Sequence, residues 1–474
     1  MSQPTTTTTD LQASTSLGDE IGRLARLGLP IAAAQFGMTA MGFVDIAFLG
    51  HYRPEALAAM SLGNTLSWGA IVFCLGVLTA VDPLLSQAIG ARDGPAVTKA
   101  LLRALLLALV LSVPAMALLW PSATWLELLG QQPALVPEAA LYARLNAIGI
   151  APLLCFQVLR SMLAAHSRTV PAVVVIVVAN LANALLDWLL VFGKLGCPEL
   201  GVAGAALATA VCRWFMCLLM FWLGRATFVP HLRALRDVSV RAAVFALHPL
   251  LRTVRLGAPI GGQFAMEMGV FALTAMLVGQ LDVAAGDAEG LRLCGHQIAL
   301  QLASLSFMVP LGLGMAASVR VGWAVGAGDH HGARRAAQAA LLSGAVVMSA
   351  FMLLFLLLPR QLAEVLSNDQ GAVAWGMLLI PIAGVFQIGD GLQVTAIGCL
   401  RGAGSVRAPF WINVAGFWCT GLPLGCWLAF PWGRDRGPAG LWWGLVVGLF
   451  AVAIALLVAV RLRFRELGPR LRVD

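Results

Sequence analysis

Charge is scarce in this sequence. Asp, Glu, Lys and Arg make up only 11% of its 474 residues, against about 25% in a soluble domain. With 59% hydrophobic residues, too little polar surface exists to cover a water-soluble globule. The solvent for most of the chain must be lipid. Nucleotide and hydrolase motifs are missing as well. No GxxxxGK(S/T) loop occurs, which excludes ATP as the energy source, and neither HExxH nor GxSxG is present. Nine cysteines (Cys74, Cys155, Cys197, Cys212, Cys217, Cys294, Cys399, Cys419 and Cys426) lack CxxC spacing. Most lie in apolar runs, so they read as small buried hydrophobes and not as disulfides or metal ligands. The opening MSQPTTTTTDLQASTS is polar and of low complexity, without a basic start, apolar core and cleavage site, and no signal peptide is expected.

What is present is a series of long apolar runs. A helix needs about 20 apolar residues to cross about 30 Å of hydrocarbon. Twelve such helices are expected near 24–49, 60–83, 97–120, 138–163, 171–193, 202–224, 254–279, 293–318, 335–358, 373–400, 409–430 and 438–461. The runs are far longer than the roughly 10-residue alternating strands of a membrane barrel. The expected class is an all-α membrane protein. Its domains read as a polar tail (1–23), a first six-helix lobe (24–224), a basic cytoplasmic linker (225–252), a second six-helix lobe (253–461) and a basic tail (462–474). Little chain remains for a soluble catalytic domain, so an enzyme is not expected.

The net charge of +8 need not mean nucleic acid. With the N-terminus in the cytoplasm, 23 of the 31 Lys and Arg, Arg160 and Arg401 among them, fall on the inner side and 7 on the outer, with Arg213 inside a span. That bias places both termini in the cytoplasm. The basic surface would face anionic membrane lipids.

The two halves repeat. LGLPI (27–31) matches LGAPI (256–260), LGVLTAVDPLLSQAIGARD (75–93) aligns without a gap to LGLGMAASVRVGWAVGAGD (311–329), and GVAG (201–204) matches GPAG (437–440). The offset stays between 229 and 236 residues. Six spans per half make this a parallel repeat about an axis along the membrane normal, as in alternating-access transporters.

A charge near the bilayer centre costs at least about 2.5–3.5 kcal/mol, so each one calls for a reason. Gln35, Met38, Gly42 and Asp45 share one face of helix 1, and Asn180, Asn183 and Asp187 share one face of helix 5. Thr209 lies in helix 6. If these faces converge, the first lobe holds two carboxylates among amide and hydroxyl oxygens, hard ligands suited to a proton or an alkali cation. The plainer reading is helix-to-helix hydrogen bonding by Asn and Thr, and both aspartates sit toward helix ends that water could reach. In the second lobe Glu267 and Asp390 lie near mid-span. Na⁺ is expected at Glu267 and Asp390, or at Asp45 and Asp187. None of the four acids is duplicated by the repeat: Asp45 falls on Thr274, Glu267 on Met38, Asp187 near Gly425 and Asp390 near Pro152. That favours a specialised role for each.

Other polar groups read as structural. Arg213 is expected to partner an acid, with Asp187 the geometric choice. Asp82, before Pro83, reads as a solvated helix end. Arg401 in LRGAGS reads as an anchor at the interface. No histidine is taken as a proton switch. Trp411, Trp418, Trp442 and Trp443 either line a cavity for flat cations or, more plainly, pack in the core or face lipid.

Several segments together resemble the multidrug and toxic compound extrusion (MATE) family, in its NorM-like bacterial branch: GLPI and FGMTAMGFVDIAFLGH in helix 1, ANLANALLDWLLVFG in helix 5, GVAGAALAT, QFAMEMG with Glu267, VRVGWAVGAGD, GDGLQVTAIGCLRGAGSVRAP and GLWWGLVVG. The resemblance spans roughly residues 24–460. It implies two six-helix lobes around a central cleft and export of organic cations in exchange for Na⁺ or H⁺. It associates Asp45, Glu267 and Asp390 with cation coupling, and Asp45, Asn180, Asn183, Asp187 and Thr209 with proton or Na⁺ binding. Asp82 departs from the family pattern, which has a neutral residue there.

The expectation is therefore a bacterial inner-membrane antiporter for multidrug efflux, acting as a monomer on small amphipathic organic cations, without a cofactor beyond its coupling ion. The alternative is a flippase for a lipid-linked precursor, which would need a basic cavity for phosphate. A single charge crossing 100 mV is worth about 2.3 kcal/mol, so one or two coupling ions suffice without ATP.

Overall fold

A lipid solvent offers the backbone no hydrogen-bond partner, so each spanning segment must satisfy its own N–H and C=O groups. The computed structural model, which describes residues 16–287, 289–466 and 470–471, meets that demand with helices and, among the described residues, no strand. Of the expected polar tail, residues 1–15 lie outside the described residues, as do 467–469 and 472–474 of the basic tail. Among the described residues, eleven helices are long and apolar enough to cross a membrane, and a pair bent by 44°, taken as one span, makes a twelfth. They are α1 (Leu17–Tyr52), α2 (Pro54–Gly90), α3 (Gly94–Leu119), the bent α4 (Val136–Ala147 with Ile150–Ala165), α5 (Val170–Val191), α6 (Val202–Leu223), α7 (Leu247–Ala284), α8 (Leu291–Gly326), α9 (His330–Leu357), α10 (Gln370–Gly402), α11 (Arg407–Ala429) and α12 (Pro438–Arg465). Their outward faces are apolar: Leu181 is 69% exposed, Met276 68%, Val113 65% and Val346 61%. Such residues cover a surface that meets acyl chains. The protein is a multi-pass membrane protein.

The chain forms two compact units. One holds Ala33–Gly261; the other holds Gly262–Arg470 together with α1 up to Ala32. Helices α1 and α7 thus each divide between the units.

The sequence repeat reappears as repeated local structure. In the first unit, Gly257 lies so close to α2 that a Cβ there would stand 2.3 Å from the Val77 carbonyl oxygen. In the second, the matching Gly28 lies against Leu313, where a Cβ would stand at 3.0 Å. Gly76 meets Gly261 in one unit and Gly312 meets Ala32 in the other. Asp93 caps α3 by accepting from the Ala96 N–H at 3.1 Å, and its counterpart Asp329 caps α9 by accepting from the Gly332 N–H at 2.8 Å. Gly201 and Gly437, which open α6 and α12, share one unusual backbone conformation (φ 53°, ψ −122° and φ 57°, ψ −145°). A side chain is strained there. At Gly201 a Cβ would also stand 2.9 Å from the Tyr52 ring. Gly201→Ala is therefore expected to destabilise the protein by about 1–3 kcal/mol, measurable as a fall in melting temperature in detergent. An unchanged melting temperature would contradict the conformation described.

Close helix contacts also organise the second unit. Helix α10 packs on α8, α9 and α12. A Cβ at Gly398 would stand 2.1 Å from the Gly314 carbonyl oxygen, and one at Gly402 2.6 Å from that of Ser318. Small residues at such crossings let backbones approach where no hydrophobic effect drives helices together. In the 225–252 stretch, the short helices Arg225–Arg233 and Val238–Phe245 precede α7. Arg103 of α3 holds the second of these by donating to the Ala243 carbonyl from Nη2 at 2.8 Å and from Nε at 3.2 Å.

Candidate functional site

In the first unit, the polar faces of α1, α5 and α6 meet. Asp45 is 3% exposed, Thr209 6%, and Asn183 and Asp187 0%. Thr209 Oγ1 donates to Asp45 Oδ2 at 2.8 Å. The Asp187 carboxyl and the Asn183 amide face the same Asp45 carboxyl, and the Arg213 guanidinium lies within electrostatic range. Apart from the Thr209 bond the cluster is unsatisfied. Asp45 Oδ1, both Asp187 oxygens and both Asn183 amide atoms are buried without a hydrogen-bond partner. Native interiors leave few polar atoms in that state. Two carboxylates facing each other in a low dielectric repel unless a proton or cation sits between them. The oxygens present (two carboxylates, an amide carbonyl and a hydroxyl) fit a small hard cation.

Asn180 and Gln35, named with this set, have other attachments. Asn180 Nδ2 donates to the Gly37 carbonyl at 2.9 Å and to the Ile176 carbonyl at 2.8 Å, tying α5 to α1. Gln35 Oε1 accepts from Arg160 Nη1, and Gln157 Oε1 accepts from Arg160 Nη2 at 2.8 Å. Arg213 donates to the Asn146 carbonyl at 3.3 Å, and the acid in its field is Asp45, not Asp187.

In the second unit, α7, α10 and α11 converge on Glu267. Its Oε1 accepts from Gln263 Nε2 at 3.0 Å, Gln393 Nε2 at 2.9 Å and Asn413 Nδ2 at 2.8 Å. Asp390 lies within electrostatic range of the same carboxyl. Both acids are half-buried. Asn413 stands directly before a π-helical stretch, Val414–Gly421, within α11. Such bulges re-aim side chains and recur at functional sites. Trp418 in that stretch donates from Nε1 to the Met266 carbonyl at 3.3 Å, a second attachment of α11 to α7 beside Glu267.

Two structural readings change. Asp82 is no solvated end: it is 6% exposed and its charge reaches Arg160. The reason is that α2 continues to Gly90, which puts Asp82 eight residues, about 12 Å, from the helix end. Arg401 is no interface anchor: it is 8% exposed, drawn inward by the tight α8–α10 crossing, and its Nη2 donates to Gln263 Oε1 at 3.4 Å. His296 of α8 is fully buried, and its Nδ1 accepts from Trp442 Nε1 at 3.1 Å. That bond makes Trp442 a core residue, whereas Trp411 is 66% and Trp443 39% exposed.

Gln263, Gln393 and Asn413 are the site residues that sequence reasoning passed over. A signal existed: Gln263 precedes Glu267 by four residues and Gln393 follows Asp390 by three, spacings that share a helix face.

Comparison with known proteins agrees with this architecture. The MatE family model matches residues 30–189 and 259–427, one segment in each half. A probable multidrug resistance protein NorM of Mesorhizobium japonicum is 35% identical over 95% of this chain and 96% of its own length. The multidrug resistance protein PmpM of Pseudomonas aeruginosa is 36% identical over 93% of this chain and 91% of its own. Among solved structures, the eukaryotic MATE transporter AtDTX14 aligns with a TM-score of 0.81 at 22% identity, covering 94% of this chain and 96% of that one. An outward-facing multidrug resistance MATE transporter aligns with a TM-score of 0.80 at 19% identity, covering 96% and 99%. At those identities the structures speak for the fold, and the family assignment rests on the sequence matches. The chain belongs to the MATE family, in its NorM-like branch.

Proposed function

We propose that the protein is a cation-coupled antiporter that exports small amphipathic organic cations from the bacterial cytoplasm by alternating access, with Na⁺ or H⁺ as the coupling ion. The observation that carries this reading is the first-unit cluster, in which Asp45 and Asp187 face each other in a buried site with three carboxylate oxygens lacking any hydrogen bond. Such an arrangement is unfavourable when empty and favourable with a proton or cation bound, as a coupling site requires. Glu267 and Asp390 supply a second anionic position, suited to the coupling ion or to a cationic substrate. The relatives named above as multidrug resistance proteins support drugs and toxins as the cargo. We place both termini in the cytoplasm on the distribution of arginines, and take the working form to be a monomer in the inner membrane, without nucleic-acid partners.

The flippase alternative needs arginines available to phosphate. The buried ones are otherwise committed: Arg103 to the Ala243 carbonyl, Arg160 to Gln35 and Gln157, Arg213 to the Asn146 carbonyl, and Arg401 to Gln263. Expression in bacteria deprived of their own efflux pumps tests the proposal. Ethidium retention is expected to fall, and the fall to disappear when a protonophore and Na⁺ removal are combined. Unchanged retention at verified membrane levels would reject drug export.

Thr209 contributes through one hydrogen bond to a charged group, worth about 1.5–3 kcal/mol. Thr209→Val is therefore expected to shift the half-saturating concentration of the coupling ion roughly tenfold, upward for Na⁺, which loses a hydroxyl ligand, and downward for H⁺, which no longer competes with that bond, while leaving maximal efflux near normal. A titration of efflux rate against ion concentration reads this directly, and an unaltered midpoint would remove Thr209 from the site.

A further inference from the structure

Away from the Glu267 cluster, the second unit has a cavity where α8 and α10 begin. The two helices cross tightly at Gly295, where a Cβ would stand 2.9 Å from the Trp375 carbonyl carbon. Toward their first residues a cavity of about 650 Å³ opens, within the range of about 300–1,000 Å³ that holds a drug-sized molecule. Leu291, Leu293 and Ile298 of α8 line it, together with Leu366 of the short helix Pro359–Leu366. Its walls are therefore largely apolar. Two carboxylates, Glu289 and Asp369, line it as well, both exposed to water. Asp390 lies 21 residues beyond Asp369 in the chain, about 30 Å of helix, and neither Asp390 nor Glu267 lines the cavity.

The charge around this cavity is not balanced. Segments 282–292 and 360–369 carry five acids (Asp282, Asp287, Glu289, Glu364 and Asp369) against two arginines. Both arginines are engaged: Arg292 Nε lies 4.0 Å from Asp282 Oδ1, and Arg360 Nε donates to Glu364 Oε1 at 2.7 Å. Asp287, Glu289 and Asp369 remain. The two helix starts offset about half a charge each. Asp287 meets one, accepting from the Gly290 and Leu291 N–H groups at 3.2 and 3.0 Å, and Asp369 meets the other, accepting from the Ala372 N–H at 2.6 Å. Among the described residues no hydrogen bond or ion pair reaches the Glu289 carboxyl. Negative charge is left over beside an apolar cavity, which complements a ligand with an apolar body and a positive charge.

We propose that this cavity is a peripheral binding site for small amphipathic organic cations, on the outer face of the second unit and separate from the coupling acids. Glu289 and Asp369 attract the charge, and the leucines and Ile298 receive the apolar body. The inference takes its outward orientation from the reading above, with both termini cytoplasmic, but binding here needs no ion gradient. Cys294 supplies a reporter: it is exposed, lines the cavity and lies within electrostatic range of Asp369.

The test is modification of Cys294 by a polyethylene glycol maleimide, which is uncharged and does not cross the membrane. Right-side-out vesicles are used without an imposed gradient, and the Cys294 peptide is followed by mass spectrometry. Tetraphenylphosphonium is expected to slow the modification saturably, and triphenylphosphine oxide, uncharged and of similar bulk, to leave it unchanged. In the Glu289→Gln/Asp369→Asn double variant, where asparagine still caps α10, the half-protecting concentration is expected to rise about tenfold, the scale of two exposed charges at close range. If that variant fails to reach the membrane, Glu289→Gln alone carries the test, with a rise of about threefold. Glu267→Gln is expected to leave the half-protecting concentration unchanged. Cys294 that stays unmodified from outside, no protection of wild type, equal protection by the uncharged compound, or an unchanged midpoint in the charge variants overturns the inference. A midpoint that moves in Glu267→Gln also overturns it, because protection then comes from the coupling site. Protection that persists while efflux proves independent of both Na⁺ and H⁺ rejects the coupling reading alone. Lost protection in a protein that still exports on an ion gradient rejects this inference alone.

Discussion

Glu267→Gln is expected to lower ion-driven efflux by on the order of a hundredfold, the effect of removing one charged group from a transition it stabilises by about 3 kcal/mol. Gln263, Gln393 and Asn413 all donate to Glu267 Oε1. Those donors hold an anion in place. Glutamine keeps the volume, and its own carbonyl can still accept from them. It cannot take up a proton or balance a cation. The variant is therefore expected to reach the membrane at normal levels and fold with a similar melting temperature, so that the loss reads as chemistry. Export at the wild-type rate, under either an Na⁺ or a pH gradient, would mean that Glu267 is held for structure alone.

The second large effect has two signs. Asp187→Asn is expected to raise stability by about 1–3 kcal/mol, measured without coupling ion, and at the same time to abolish the dependence of efflux on that ion. Asp187 is completely buried, faces Asp45, and has no hydrogen bond to either oxygen. Its charge is unfavourable in the empty site, and removing it relieves the repulsion. Functional sites store such unfavourable arrangements because the ligand relieves them. A structural aspartate gives the opposite pattern, a lower melting temperature with transport preserved.

Some of this was legible from residues alone. Glu267 and Asp390 interrupt long apolar runs, where a charge is costly enough to stand out. Asp45 and Asp187 could be named, and their faces drawn from helical periodicity. That the two faces meet with Thr209 at hydrogen-bond distance depends on how α1, α5 and α6 pack, which periodicity within one helix does not contain. The amides Gln263, Gln393 and Asn413 were passed over because an amide in a span costs less than a charge and is commonly explained by helix-to-helix bonding. Asp82 and Arg401 were misplaced for one shared reason. Hydropathy falls where a helix leaves the apolar layer, but the hydrogen-bonded helix runs on, to Gly90 in α2 and Gly402 in α10. Residues beyond the hydropathy edge were assigned to water when packing buries them. The repeat was visible in LGLPI and LGAPI because it is ungapped there.

The central claim is that an ion gradient drives export through these acids. The direct measurement is uphill ethidium efflux from proteoliposomes, with an imposed Na⁺ gradient and separately an imposed pH gradient, comparing wild type with Asp390→Asn. The account predicts efflux against the ethidium gradient under at least one of the two, lost in Asp390→Asn at equal reconstituted protein. Folded wild-type protein that moves ethidium uphill under neither gradient would contradict it.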